Sequence, residues 1–151
     1  MTDIFSREKR SEIMSKIKSK DTKPEVIIRK GLHGMGYRYR LHVKTLPGKP
    51  DIYLPKYNTV IEVMGCFWHG HNCHLGSSPN SNKDYWTNKL TRNKERDQTN
   101  KELIIEQELN LLVVWECSII GKTSWELEGL LEDIESFILD SRNYHEIQGK
   151  I

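Results

Sequence analysis

Cysteine is scarce, three in 151 residues, which excludes a disulfide-stapled scaffold. A chain of this length buries a core without staples. Long apolar runs are missing too: none approaches the ~18 residues of a membrane-spanning helix. The opening Met1-Thr2-Asp3-Ile4-Phe5 lacks the charged-then-apolar pattern of a secretory leader. The expectation is a cytoplasmic protein with no membrane partner, in which thiols stay reduced and clustered cysteines favour metal over disulfide. Repeats, low-complexity stretches and linker-like compositions are also absent, so residues 1–151 read as one domain.

The net charge is only +2, but the balance hides a polarity. Residues 1–50 carry 13 Lys and Arg against 5 Asp and Glu, whereas residues 102–151 carry 3 against 11. A basic N-terminal half suggests a polyanionic partner, because Lys and Arg bind phosphates by releasing condensed counterions. A solvated basic helix would explain the same charges.

Residues 6–20 read as a basic helix, with Ile13, Met14 and Ile17 on one side. Residues 1–20 are thus expected to form a basic helix or arm. Thr22-Lys23-Pro24-Glu25 opens a second helix with a capping box, burying Val26, Ile27 and Leu32 and ending near Gly34. Residues 37–42 alternate like a strand, and strands follow at 51–54 and 59–64 across a Pro55-Lys56-Tyr57-Asn58 connection. A long helix over 83–109, a buried strand over 111–117 and an acidic helix over 125–139 complete the pattern. Residues 141–151 are expected as a flexible tail. Helices around a few strands indicate a three-layer α/β domain with a mixed sheet.

The scarce cysteines are not scattered. Two of the three, with three of the six histidines, fall within residues 62–74, in Glu62-Val63-Met64-Gly65-Cys66-Phe67-Trp68-His69-Gly70-His71-Asn72-Cys73-His74. Cys117 ends the apolar strand downstream. Tetrahedral zinc takes four N or S ligands, and Cys66, His71, Cys73 and Cys117 make a Cys₃His set that uses every cysteine. Such a closed shell leaves no open position for a substrate water, so the zinc would be structural. Free buried thiols with surface histidines are the other reading.

A second group is acidic. Asp51 begins one strand and Glu62 lies in the next, so two adjacent strands can bring both carboxylates together. Converging carboxylates with phosphate oxygens suit Mg²⁺, which would polarise a scissile phosphate and help generate the attacking hydroxide. Turn chemistry alone would also explain Pro50-Asp51.

Several stretches together carry a resemblance. Pro50-Asp51, the run Gly65-Cys66-Phe67-Trp68-His69-Gly70-His71-Asn72-Cys73, the Trp86 helix with Asn93 and Arg96-Asp97, and Val113-Val114-Trp115-Glu116-Cys117 resemble the very-short-patch repair endonucleases, the Vsr family. Arg10, Met14, Asp21-Thr22 and Glu25 are similar as well, and the likeness runs in order over residues 6 to 120. It implies a restriction-endonuclease-like fold of the PD-(D/E)xK type. It also implies nicking of DNA on the 5′ side of the mismatched thymine at T·G sites left by deamination of 5-methylcytosine.

The resemblance further implies Asp51 as the essential Mg²⁺ ligand, joined by the Val63 carbonyl. His69 would be the general base or proton shuttle, held by Asp97, with Glu25 beside the active site. It gives Cys66, His71, Cys73 and Cys117 the structural zinc. Phe67, Trp68 and Trp86 would form an aromatic wedge entering DNA from the major groove, with Met14 entering from the minor-groove side. The expected substrate is duplex DNA bearing a T·G mismatch, acted on by a monomer, with mismatch-repair proteins as further partners.

The residues suit these roles on their own chemistry. Histidine titrates near neutral pH and can move a proton at a phosphate. Lys89, Asn93 and Asp97 recur every four residues and so share a helix face, with Arg96 alongside. One departure stands out: the position two after Glu62, often Lys in nucleases of this fold and often His in Vsr enzymes, is Met64. A thioether offers the phosphate no charged hydrogen bond, whereas Glu62 supplies an acid where some relatives are apolar. A restriction-type nuclease acting on matched duplex and a catalytically silent zinc-stabilised DNA-binding module are the competing readings.

Overall fold

A computed structural model describes residues 21–76, 81–140 and 142–150. Met14 and the basic segment 1–20 lie outside the described residues. In chain order the elements are α1 (Lys23–Gly34), β1 (Arg40–Leu41), β2 (Ile52–Leu54), β3 (Thr59–Met64), α2 (Lys83–Glu106), β4 (Asn110–Trp115), α3 (Glu116–Ile119), α4 (Leu127–Asp140) and β5 (Tyr144–Ile147). The strands form one sheet in the order β1-β2-β3-β4-β5. The first two pairings are antiparallel and the last two parallel, so the sheet is mixed.

Strand periodicity divides β3 and β4 between two layers. Ile61, Leu112 and Val114 join Ile28 and Leu32 of α1 and Ile134, Phe137 and Ile138 of α4 in one core. Val60, Met64, Leu111 and Val113 face the other way, onto Ile104 of α2. This is the expected three-layer α/β arrangement. No helix among the described residues is long and apolar enough to cross a membrane.

Several boundaries differ from the sequence expectation. The strand expected over 37–42 shrinks to Arg40–Leu41, because Tyr37 and Tyr39 turn inward to bond Glu135 and the Arg29 carbonyl and His42 takes a positive φ. In α1 the fully buried residues are Ile28 and Leu32, while Val26 and Ile27 are half-buried. Helix α2 ends at Glu106, where Glu108 adopts a left-handed φ of 62° that no helix continues through.

The last expectation to fail is the flexible tail at 141–151. Residues Tyr144–Ile147 pair with β4 as the edge strand β5, and Ile147 closes over the α4 core. A four-residue edge strand reached by a helical crossover has too little periodicity of its own to be read from sequence.

Candidate functional site

Asp51 sits one residue ahead of β2. The pairing of Ile52 with Ile61 continues to bring Asp51 level with Glu62, and its Oδ2 accepts the Val63 N–H at 2.7 Å. Burial raises the Asp51 carboxyl to about 7, opposed by that N–H and reinforced by Glu25. Glu25 is only 2% exposed in the first turn of α1. Its backbone N–H bonds Thr22 Oγ1, as a capped helix requires, while its carboxylate turns to Arg29 and His42 rather than to the cap. Arg29, one turn on, donates to Glu25 at 2.7 Å and to Asp21 at 2.6 Å, and His42 Nε2 lies 3.2 Å from Glu25. A buried carboxylate needs such a partner.

Glu62 points to the opposite layer from Val63. With Val60 and Met64 it faces α2, and burial, followed by the charges of Asp51 and Asp97, pushes its carboxyl up to about 8. It lines an open cleft of about 320 Å³ together with His69, Asp97, Lys101, Trp115 and Tyr144. Met64 lines the same cleft and is nearly buried, packing as a core residue.

His69 Nδ1 is 2.5 Å from Asp97 Oδ2, which ties the loop after β3 to the middle of α2. One turn earlier, Asn93 Nδ2 donates to the Trp68 carbonyl at 2.8 Å and receives Arg96 at 3.3 Å. The four-residue spacing thus aims two side chains at successive loop residues. Lys89 continues the face as a half-buried residue, and Arg96 is exposed.

The aromatic residues pack on one another. Phe67 lies 5.1 Å from Trp68 and 5.3 Å from Trp86, with Trp68 and Trp86 5.9 Å apart, all edge-on or tilted. Phe67 and Trp68 remain half-exposed while Trp86, beneath them, is 6% exposed. The triad expected from sequence is assembled, with its helical member inside.

The soft ligands converge as well. Donor atoms of Cys66, His71, Cys73 and Cys117 all lie within 4.8 Å of one another, with Cys66 and Cys117 buried. Cys117 stands at the start of the short helix α3, beyond the strand in which it was expected. Burial raises both the Cys66 and Cys117 thiols; Cys73 adds to both, while the Gly149 N–H and Cys66 oppose the rise at Cys117. Three thiols and an imidazole held this closely fit a tetrahedral zinc shell, which would replace protons on the sulfurs. The loop is tight: His71 N–H bonds the Cys66 carbonyl, and a β-carbon at Gly76 would fall 1.8 Å from the His71 carbonyl oxygen.

Sequence reasoning passed over Arg29, His42 and Trp115 as site residues. Arg29 had a signal in its four-residue spacing from Glu25. His42 and Trp115 had none, since sheet register alone brings His42 N–H to the Asp51 carbonyl and Trp115 beside His69 and His71.

Comparison with known proteins identifies the family. A family model described as DNA mismatch endonuclease Vsr matches residues 2–75. The DNA mismatch endonuclease Vsr of Escherichia coli is 35% identical over 138 residues, covering 91% of this chain and 88% of that protein. The chain belongs to the Vsr family. Two further Vsr-family relatives are type II nicking enzymes: V.NmeAIP of Neisseria meningitidis, 51% identical over 122 residues, and V.XorIIP of Xanthomonas oryzae pv. oryzae, 42% identical over 134. Those alignments span 81% and 87% of this chain, and 87% and 98% of the relatives. As a Vsr-family protein the chain is an endonuclease with DNA as its substrate.

Proposed function

We propose that this endonuclease nicks one strand of duplex DNA on the 5′ side of a mismatched thymine, at T·G sites left by deamination of 5-methylcytosine. The observation that carries the reading is the His69–Asp97 pair in the cleft lined by Glu62, on the same loop as Phe67 and Trp68.

Asp51, Glu62 and the Val63 carbonyl would hold Mg²⁺, with Glu25 alongside. Their fit is supported by the raised Asp51 and Glu62 carboxyls, buried and set near other carboxylates, which resist ionising until a cation is at hand. The bound ion supplies phosphate polarisation and a more acidic water. With Nδ1 directed at Asp97, His69 keeps Nε2 for proton transfer, and Asp97 orients the ring. Met64 offers no charge to the phosphate, which places more of that demand on Glu62.

Phe67 and Trp68, with Trp86 behind them, form the proposed wedge, and Met14 would enter from the minor-groove side. Base stacking on aromatic rings contributes roughly 1–3 kcal/mol per base. Insertion costs a few kcal/mol of unstacking, and a mismatch lowers that cost. Lys89, Asn93 and Arg96 present the DNA-facing side of α2. Zinc on Cys66, His71, Cys73 and Cys117 would be structural, since its four protein ligands close the shell.

The names of the nicking relatives favour a second reading, cleavage at a restriction-type sequence in matched duplex. One assay separates the two. Purified protein is given matched and T·G-mismatched duplexes with and without Mg²⁺, and a single nick is expected only with mismatch and metal together. Equal nicking of matched duplex would refute the mismatch reading.

A further inference from the structure

The last described residues lie against the sulfur cage. Gln148 Oε1 is 3.1 Å from Nε2 of His71, whose Nδ1 faces Cys117 Sγ at 3.6 Å. A ring that turns Nδ1 to the metal carries its hydrogen on Nε2, where the Gln148 oxygen accepts it. One residue on, the Gly149 N–H donates to Cys117 Sγ at 3.3 Å. Across the imidazole, Trp115 stacks at 4.1 Å and 12°, and its indole N–H donates to Glu146 at 2.7 Å.

Independent contacts fix this segment in place. Trp125 Nε1 donates to the Gln148 carbonyl at 2.8 Å, and the Lys150 N–H donates to the Thr123 carbonyl at 2.7 Å. A β-carbon at Gly149 would fall 2.5 Å from the Cys117 carbonyl and 2.6 Å from Thr123 Oγ1, so only glycine fits this approach. The chain is drawn to within hydrogen-bond reach of two ligands and held there.

We propose that Gln148 and Gly149 are positioning residues for the zinc, Gln148 setting the His71 tautomer for Nδ1 ligation and the Gly149 N–H offsetting thiolate charge on Cys117. This rests on the zinc reading above. An imidazole that donates its second N–H is better oriented and more basic toward metal, and losing such a partner costs about 10–100-fold in affinity. Hydrogen bonds to an ionised sulfur are charge-assisted and correspondingly strong.

The test is zinc release from the purified full chain into excess 4-(2-pyridylazo)resorcinol, after the metal content of each protein is measured. Gln148 is exposed, so Gln148→Leu should keep the parental circular dichroism while releasing zinc about 10–100 times faster. Gln148→Glu retains an acceptor and should release at the parental rate or slower. Gly149→Ala should also accelerate release by crowding the Cys117 carbonyl. Parental release from Gln148→Leu, or equal acceleration in Gln148→Leu and Gln148→Glu, overturns the Gln148 assignment while leaving the zinc standing. A parental protein that contains no zinc overturns both.

Discussion

Asp97 and His69 lie 28 residues apart in the chain, and their side chains meet at 2.5 Å across the cleft between α2 and the loop after β3. Under the proposed mechanism Asp97 would orient the ring and fix its tautomer. Asp97→Asn should reduce nicking by about 10²–10⁴-fold, the usual reach of positioned acid–base catalysis. Nicking by Asp97→Asn at the parental rate would remove Asp97 from the mechanism.

Asp51 and Glu62 call for separate expectations. Asp51→Asn should abolish nicking while leaving DNA binding within a few-fold, since most affinity comes from phosphate contacts. Glu62→Ala should slow nicking at least tenfold, about 1.4 kcal/mol of barrier, with partial recovery at raised Mg²⁺. Met64→Ala should cost less, its side chain having no charge to contribute. A Glu62→Ala protein that nicks at the parental rate across a Mg²⁺ titration would show that Asp51 works without it.

The raised carboxyls make metal-free stability depend on pH. Asp51 near 7 and Glu62 near 8 retain protons in the folded chain that ordinary carboxylates have lost. Their contribution is full below the ordinary carboxylate range near pH 4 and is lost as pH rises through about 7 to 8. Thermal unfolding of zinc-loaded, Mg²⁺-free protein should therefore fall in Tm between about pH 6 and pH 8.5. Added Mg²⁺ should raise Tm more at the upper pH. Relative to the parent, Asp51→Asn with Glu62→Gln should flatten both trends, and an unchanged slope would mean these carboxyls are not protonated in the fold.

The aromatic triad predicts a separation of activity from stability. Phe67 and Trp68 are half-exposed, so replacing both with Ala should cut nicking of mismatched DNA far more than it lowers Tm. Some loss of Tm is expected, because the pair covers Trp86. A double variant that melts early, yet nicks normally while folded, would make the triad ordinary core.

Much of this site was legible because its residues are chemically unusual and close in sequence. Cysteines and histidines crowded into residues 62–74 announce a ligand loop, and only Cys117 remained to complete a set of four. The Thr22 cap was equally visible, since capping is a local interaction. The cap does not by itself place the Glu25 side chain: a capping box explains its position, while burial against Arg29 and His42 decides where its carboxylate goes. Residues 144–150 gave no warning, because their pairing with β4 and their contacts with His71 and Cys117 arise from chain segments distant in sequence.

Asn93 and Asp97 grip neighbouring residues of one loop, the first at the Trp68 carbonyl and the second at the His69 ring. The Trp68 carbonyl and the His69 N–H belong to one planar peptide unit. Under the proposed reading, a shift of that unit when Trp68 meets a base would pull on the same face of α2 that aims the histidine. Base recognition at Trp68 and proton transfer at His69 would then share one lever, with α2 as its fulcrum. A substrate that seats the ring badly would leave the imidazole misaligned, so poor recognition is converted directly into poor chemistry.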